Sequence, residues 1–397
     1  MSVGGAAKAS KRQIFSIVIF NGITYVLIGL PLAVFPGVVH FKLGYGAALA
    51  GGVISLQYLA TLLTRSIAGR SSDRYGGKAA SLAGLGFAAI NGLCILAAGF
   101  SHAPLVILGW LMLSRLLLGA AESGTSTGCS MWGVALFGPA SMPEILSWNG
   151  VASYGGIAIG APLGVALMHA GGLQALAAVA IILPLLGLVF AVFRPAAPIL
   201  ASAKRMSMLH VLRYVWPHGL VLACGSFGYG TVVAFTALYY AAHGWHGAAY
   251  ALTGFGVGFM VIRMFCTGTI GRFGGFWPAI LSTAVEILGL LILWLASVPV
   301  VAFIGAVLTG LGSSLLFPAL GVEALKRVDP SSRGAAISIY SVFFDIAFGT
   351  TGPIAGFVAG HLGYPVVFLL GAATASAGVG ITYSLYLQER PRAVRSL

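Results

Sequence analysis

Apolar residues come in runs of about 20 along this chain, long enough for a helix rising about 1.5 Å per residue to cross about 30 Å of hydrocarbon. Twelve runs can be drawn, at 14–36, 46–68, 79–100, 105–128, 146–169, 174–193, 215–241, 249–267, 276–296, 299–324, 335–360 and 366–388. Between them Gly, Pro, Lys and Arg concentrate in short connections. The pattern predicts an all-α membrane protein with twelve transmembrane helices. The first run follows Lys8, Lys11 and Arg12, exceeds a signal-peptide core and precedes further spans, so it reads as a retained helix.

Composition agrees with this pattern. Hydrophobic residues make up 59% of the 397 positions, charged residues 7%, and there are 57 glycines, far from the make-up of a soluble domain. The net charge of +13 would suit an acidic partner, but the placement of the basic residues matters more than their sum. Arg115 falls mid-span and Lys42 alone lies in an odd-numbered loop. The others lie at or close to the N-terminus, 69–78, 194–213, 268–275, 326–334 and the tail with Arg390, Arg392 and Arg395. That asymmetry puts both termini and the long linker in the cytoplasm, with the lipid bilayer rather than nucleic acid as the partner. Cys94, Cys129, Cys224 and Cys266 stand singly in or beside apolar runs and read as packing residues, so no metal is expected. No cofactor is expected either. The chain has no Walker loop, no H-E-x-x-H and no nucleophile elbow, and it does not read as an enzyme.

Residues 65–78, R-S-I-A-G-R-S-S-D-R-Y-G-G-K, have a degraded twin 198 positions later. Arg65, Asp73, Arg74, Tyr75, Gly76 and Gly77 align with Arg263, Gly271, Arg272, Phe273, Gly274 and Gly275. The polar stretch 194–213 divides six spans from six. The expected organisation is an N-terminal six-helix bundle (1–193), a cytoplasmic linker (194–213), a C-terminal six-helix bundle (214–388) and a cytoplasmic tail (389–397). Parallel six-helix repeats of this kind form two pseudo-symmetric bundles with a site near the bilayer midplane between them.

Three segments carry a resemblance to the major facilitator superfamily of transporters over essentially the whole length. Gly69 to Lys78 is similar to the loop signature after the second helix, which implies a gating loop with Gly69, Asp73, Arg74, Gly76 and Gly77. Asp73 there can pair with arginines and cap a helix N-terminus. Its equivalent in the twin is Gly271, which weights any charged latch toward the first half. Ser114-Arg115-Leu116-Leu117-Leu118-Gly119 resembles the buried-arginine signature of proton-coupled members. Gly156 to Gly164 is similar to the fifth-helix pattern of antiporters, with Ala161 inserted between Gly160 and Pro162; a related run spans Gly349 to Gly356. The resemblance implies a bacterial drug- or sugar-efflux-like carrier in the inner membrane, working as a monomer.

Ionisable residues at membrane depth are costly and face cavities or partners, which makes each one a functional candidate. Glu122 lies seven residues after Arg115, on nearly the same helix face and about 10 Å further along. Asp345, mid-way along the eleventh run, reads as a proton carrier or as a partner for Arg263 or Arg115. Arg115, Glu122 and Asp345 are therefore the proton-coupling candidates. Glu286 ranks below them because the ninth helix lies outside the cavity in this superfamily, and Glu323 reads as a brace for Lys326 or Arg327. For the substrate, the helices expected to line the cavity carry Asn21, Tyr25, Gln57, Tyr58, Asn149, Tyr154, Tyr229 and Tyr340. Amides and phenols on an apolar wall suit a small polar or amphipathic molecule. Six histidines (His40, His102, His169, His243, His246, His361) fall at predicted extracytoplasmic helix ends, and Met260-x-x-x-Met264 resembles a copper-importing branch. Interfacial solvation of the histidines and helix packing of the methionines are the plainer readings. The expected function is proton-coupled efflux of a small molecule by alternating access. Proton-coupled uptake is the alternative, followed by metal or metal-chelate transport, then a membrane enzyme or sensor.

Overall fold

The computed structural model describes residues 10–138, 141–197, 208–326, 328 and 333–389. Among them every regular element is helical. The basic residues Lys8, Arg327, Arg390, Arg392 and Arg395, linker residues 198–207 and the tail from 390 lie outside the described residues.

The first bundle contains α1 (Lys11–Leu32), α2 (Ala47–Tyr75), α3 (Gly77–Phe100) and α4 (Pro104–Phe137), followed by a continuous stretch Met142–Val192. That stretch breaks at Gly171 and Gly172, where φ/ψ leave the helical region and Gly172 takes φ 64°, so it is two spans, α5 (142–170) and α6 (173–192). Then come α7 (Met208–Ala242), α8 (Ala248–Phe265), α9 (Phe276–Leu295), α10 (Pro299–Leu325), α11 (Arg333–Leu362) and α12 (Tyr364–Glu389). With α5 and α6 separated, the twelve predicted crossings are all present. Local chemistry sets several ends. Ser10 and Gln13 form a reciprocal capping box at α1, and Pro104 and Pro299 open α4 and α10, where a missing N–H costs nothing. Inside α10 the helix interrupts between Ser313 and Leu316.

The expected loop after the second span is different in the structure. Gly69, Asp73 and Arg74 lie in the last turns of α2, and the connection to α3 is the single residue Gly76, at φ 88°. Gly76 is the N-cap residue of α3. An apolar helix can run past the membrane surface into a basic segment without breaking, because Arg and Ser propagate a helix well enough. The twin segment turns at Gly274, φ 76°, the counterpart of Gly76 198 residues on, so the repeat holds at the level of backbone geometry. Gly77 and Gly275 are matched too. A Cβ at either would collide with a neighbouring helix, at Gly128 and Trp132 of α4 for Gly77 and at Ala319 and Glu323 of α10 for Gly275.

Within the first bundle α1 packs on α5, α3 on α4 and α6, and α2 on α4; within the second, α7 packs on α11 and α12, α9 on α10 and α12, and α8 on α10. Small residues set these approaches, since lipid offers no hydrophobic drive between helices. A Cβ at Gly124 would stand 2.9 Å from Gly84 Cα, and one at Gly156 would stand 2.8 Å from the backbone of α1. Large apolar side chains such as Leu63, Ile67, Phe190, Phe193 and Leu281 remain exposed on the outside, where hydrocarbon covers them.

The most extensive contacts between the bundles are α2 with α11 and α5 with α8. In the first, Gly51 meets Gly352 and Ala48 meets Gly356, while Ser55 Oγ donates to Phe348 O at 2.7 Å and accepts from Gly352 N at 2.8 Å. In the second, Gly256 meets Ala158, and Thr253 Oγ1 donates to Ala158 O at 3.1 Å. The two Gly-Pro runs therefore serve different contacts. Gly156, Gly160 and Gly164 of α5 seat the backbone of α1 in the same bundle, and Gly352 and Gly356 of α11 seat α2 of the other.

Candidate functional site: a buried polar cluster at the seam of the bundles

Along α2 the positions Gln57, Thr61 and Arg65 recur every four residues and share one face of an otherwise apolar helix. That face looks onto α4 and α11, and it builds the site. Glu122 of α4, 3% exposed, accepts three hydrogen bonds there: Gln57 Nε2 at 2.8 Å, Thr61 Oγ1 at 3.1 Å and the Tyr25 hydroxyl of α1 at 3.0 Å. Donors from two other helices thus hold one carboxyl, as a buried charge requires.

Arg115, two turns back along α4, is fully buried, and none of its three guanidinium nitrogens has a hydrogen-bond partner among the described residues. Glu122 and Tyr58 lie within Coulombic reach of it. A buried guanidinium with five unused donors is an acceptor site in waiting.

Asp345 was expected to carry a proton or to pair with Arg263 or Arg115; its partner is Arg65. Arg65 Nε donates to Oδ2 at 2.7 Å and Nη2 to Oδ1 at 2.9 Å, a bidentate ion pair across the bundles, with Asp345 1% exposed and Arg65 19%. Arg263, the repeat counterpart of Arg65, has no carboxylate partner among the described residues. Its Nη1 donates to Ser314 O at 2.9 Å, at the interruption of α10, its guanidinium lies over the Phe259 ring at 5.6 Å, and it faces Gly150 of α5. The α2–α11 seam thus carries an ion pair, whereas the carbonyl and ring that hold Arg263 belong to its own bundle and only Gly150 meets it from the other.

Aromatic rings fill the centre. Tyr154 of α5 stacks on Phe259 of α8 and stands 6.1 Å from Tyr229 of α7, which stacks on Phe255 and meets Phe348 edge-on at 4.6 Å. Tyr58 packs on Phe348 at 4.4 Å across the seam. Between Tyr154, Tyr229, Phe259, Phe344 and Ser313 remains a cavity of about 10 Å³, room for about one water. Between these walls there is no room for a larger molecule unless they separate.

The remaining predicted residues divide. Asn21 bridges α1, α5 and α4, with its Nδ2 donating to Ser153 Oγ at 2.9 Å and its Oδ1 accepting from Thr125 at 3.3 Å. Asn149 donates to Ser130 Oγ at 3.2 Å, away from Glu122. The Tyr340 hydroxyl donates to Phe317 O at 3.1 Å, and its ring belongs to a separate apolar cluster with Val211, Val215 and Leu320. Of the methionine pair, Met264 is 57% exposed while Met260 turns to Gly155. Glu323 binds Lys326 Nζ at 2.5 Å as expected, and its other oxygen accepts from Gly275 N at 2.5 Å. The acid missing at Gly271 is thus supplied from α10, and the second turn has its own charged brace. Thr61, Arg65 and this role of Glu323 escaped the sequence reading; the four-residue stripe on α2 was the signal for the first two.

A two-bundle helical membrane protein with charges sealed along its seam defines a polytopic carrier rather than an enzyme. The sequence matches the Major Facilitator Superfamily over residues 14–285 and 248–397, and the chain belongs to that family of transporters. It is 49% identical over 385 residues to an uncharacterized MFS-type transporter of Burkholderia mallei (strain SAVP1), covering 97% of this chain and 94% of that one. It is 43% identical over 380 residues to the uncharacterized MFS-type transporter YhhS of Escherichia coli (strain K12), covering 96% and 93%. Among solved structures it is similar in fold to the human organic anion transporter MFSD10 (TETRAN), with TM-score 0.71 and 16% identity over 94% of this chain and 100% of that one. The nucleoside transporter NupG is similar too, with TM-score 0.73 and 14% identity over 94% and 99%.

Proposed function

We propose that this chain is a proton-coupled carrier that exports a small polar or amphipathic molecule across the bacterial inner membrane, working as a monomer with both termini in the cytoplasm. The observation that carries the reading is the Glu122 and Arg115 arrangement: a buried carboxyl with three donors and, two turns back on the same helix, a buried guanidinium with no acceptor among the described residues. While Glu122 is ionised, its charge offsets Arg115. When Glu122 takes a proton, Arg115 is left as an uncompensated buried cation, which costs several kcal/mol. Water or an acceptor group on the cargo relieves that cost, so protonation favours the conformation in which the centre is open. This is the differential binding that a coupled carrier requires. Tyr154, Tyr229 and Tyr58 form the wall for the apolar part of the cargo, and the α2–α11 and α5–α8 contacts are the surfaces on which the bundles rock. Residues 1–193 and 214–388 are the moving units.

The test is flux in everted membrane vesicles under an imposed pH gradient, with compounds chosen by a thermal-shift screen of small polar and amphipathic metabolites. Native protein should accumulate its cargo only while the gradient lasts, and Glu122→Gln should lose accumulation yet keep exchange. Gradient-driven accumulation at the native level in Glu122→Gln would sink the assignment. Proton-coupled uptake is the second reading. One observation favours keeping it: the α5 glycines taken as the antiporter pattern are occupied in seating α1 and leave direction open.

A further inference from the structure

The second bundle holds a carboxyl that the central cluster does not use. Glu286 lies half-way along α9, is 0% exposed, and neither of its oxygens has a hydrogen-bond partner among the described residues. The surrounding backbone is shaped to admit it. From α7, Gly225 and Gly228 face its carboxyl, so that a Cβ at Gly228 would stand 3.0 Å from Oε1 and one at Gly225 3.7 Å from Oε2. From α10, Gly312 is pressed against the backbone of Glu286 itself, and Ser313, which stands near the carboxyl, gives its proton to Thr309 O at 2.8 Å. A pocket that accommodates a carboxyl by placing glycines round it, with the nearby Ser313 hydroxyl turned to Thr309 O and neither carboxyl oxygen hydrogen-bonded among the described residues, does not suit a structural anion.

The same glycine and serine open on the centre. Gly225 and Ser313 line the small cavity between Tyr154 and Tyr229, so one layer of backbone separates Glu286 from the transport path. That layer is also where α10 is interrupted, between Ser313 and Leu316, with Ser314 O held by Arg263 of α8. We propose that Glu286 is a second proton-binding site, in the second bundle, that exchanges its proton with water admitted to the central cavity when α7 and α10 separate there. The exchange is a plain acid dissociation: the O–H bond of the carboxylic acid breaks, the proton passes to water, and the carboxylate is left for the water to solvate.

The elements packed against α9 carry titratable and charged groups mostly toward their ends. Helix α7 carries His210, Arg213, Tyr214, His218, Cys224, Tyr229, Tyr239 and Tyr240; α10 carries Glu323, with Lys326 just past its end; α12 carries Tyr364, Tyr383, Tyr386 and Glu389; and the short helix Gly268–Phe273 carries Arg272. Of these Tyr229 is level with Glu286, and its backbone amide is what stands near the carboxyl. His218 and Tyr386 sit against Phe276, ten residues before Glu286, about 15 Å away along the helix. Glu323 and Lys326 pair with each other beside Gly275. Among the described residues no cation bonds to the Glu286 carboxyl.

This deepens the proton-coupled reading and rests on it for its use in transport, but the binding can be tested by itself. Difference infrared spectroscopy on the full chain in lipid, stepped through pH, reads the carboxylic-acid C=O stretch directly. The native protein should show a band that bleaches reversibly as pH rises, that is lost in Glu286→Gln and that survives in Glu122→Gln. If Glu286→Gln does not fold, Glu286→Asp should move the band to a new frequency. A spectrum indifferent to both replacements overturns the proposal, and so does a Glu286 band that stays fixed at every pH at which the protein remains folded. Loss of coupling in Glu122→Gln with no Glu286 band would remove this site and leave the central reading standing; the reverse result would do the opposite.

Discussion

Neutralising Asp345 tests whether the bundle seam is a conformational latch. The Arg65–Asp345 pair contributes two charge-assisted bonds of 2.7 and 2.9 Å, and Asp345→Asn keeps the shape while removing the charge and setting an amide donor against a guanidinium donor. Hydrogen bonds to charged groups are each worth about 1.5–3 kcal/mol net, and an uncompensated buried charge costs about 3–5 kcal/mol. The amide oxygen left by Asp345→Asn can still accept one of the two bonds, and Arg65, 19% exposed, can recover part of its hydration, so the loss is that of one bond, about 2 kcal/mol. Because the bond joins α2 to α11, that energy belongs to this conformation and not to one in which the helices part. The population should therefore shift away from it by about 30-fold. Spin labels at Tyr75→Cys and Phe273→Cys, exposed positions at the basic ends of the two bundles, would report the shift as a new interspin distance, in a background with the four native cysteines replaced. Arg65→Gln should give the same shift, the double variant no more than either, and the exchanged pair Arg65→Asp with Asp345→Arg should restore the native distribution. An unchanged distribution in Asp345→Asn, or two single effects that simply add, would refute the latch.

Glu323→Gln should lower the melting temperature, because Gly275 N loses a charged acceptor at the start of α9 and about 1.5–3 kcal/mol goes with it; Lys326, largely in solvent, adds little, and Lys326→Met should leave melting almost unchanged. Gly352→Val places a branched side chain where α11 meets the Gly51 backbone and Ser55, so it should destabilise the closed seam by about 1–3 kcal/mol. Spin labels at the sites above would register that as loss of the native distance, and a native-like distribution would count against the close approach.

The twelve crossings could be read from the chain because hydrocarbon forces each one to be about 20 residues long and to satisfy its own backbone, which leaves a periodic record in the residues. The duplicated segment after the second and eighth helices could be read too, down to the paired turn glycines Gly76 and Gly274, because only glycine accepts that backbone without strain. Local sequence also placed Arg115, Glu122 and Asp345 at membrane depth, where charge is too costly to be accidental.

Who meets whom belongs to the tertiary structure. The 280 residues between Arg65 and Asp345, and the 48 between Gly275 and Glu323, carry no periodicity that could announce those pairs. The bundle geometry brings them together, and it also makes Glu286 a buried carboxyl beside the cavity although its helix was expected outside. Sequence determines which residues a bilayer will tolerate and where the backbone can turn; the facing of one helix on another, set by glycine-sized differences in approach, decides which charges are paired and which are left without a partner.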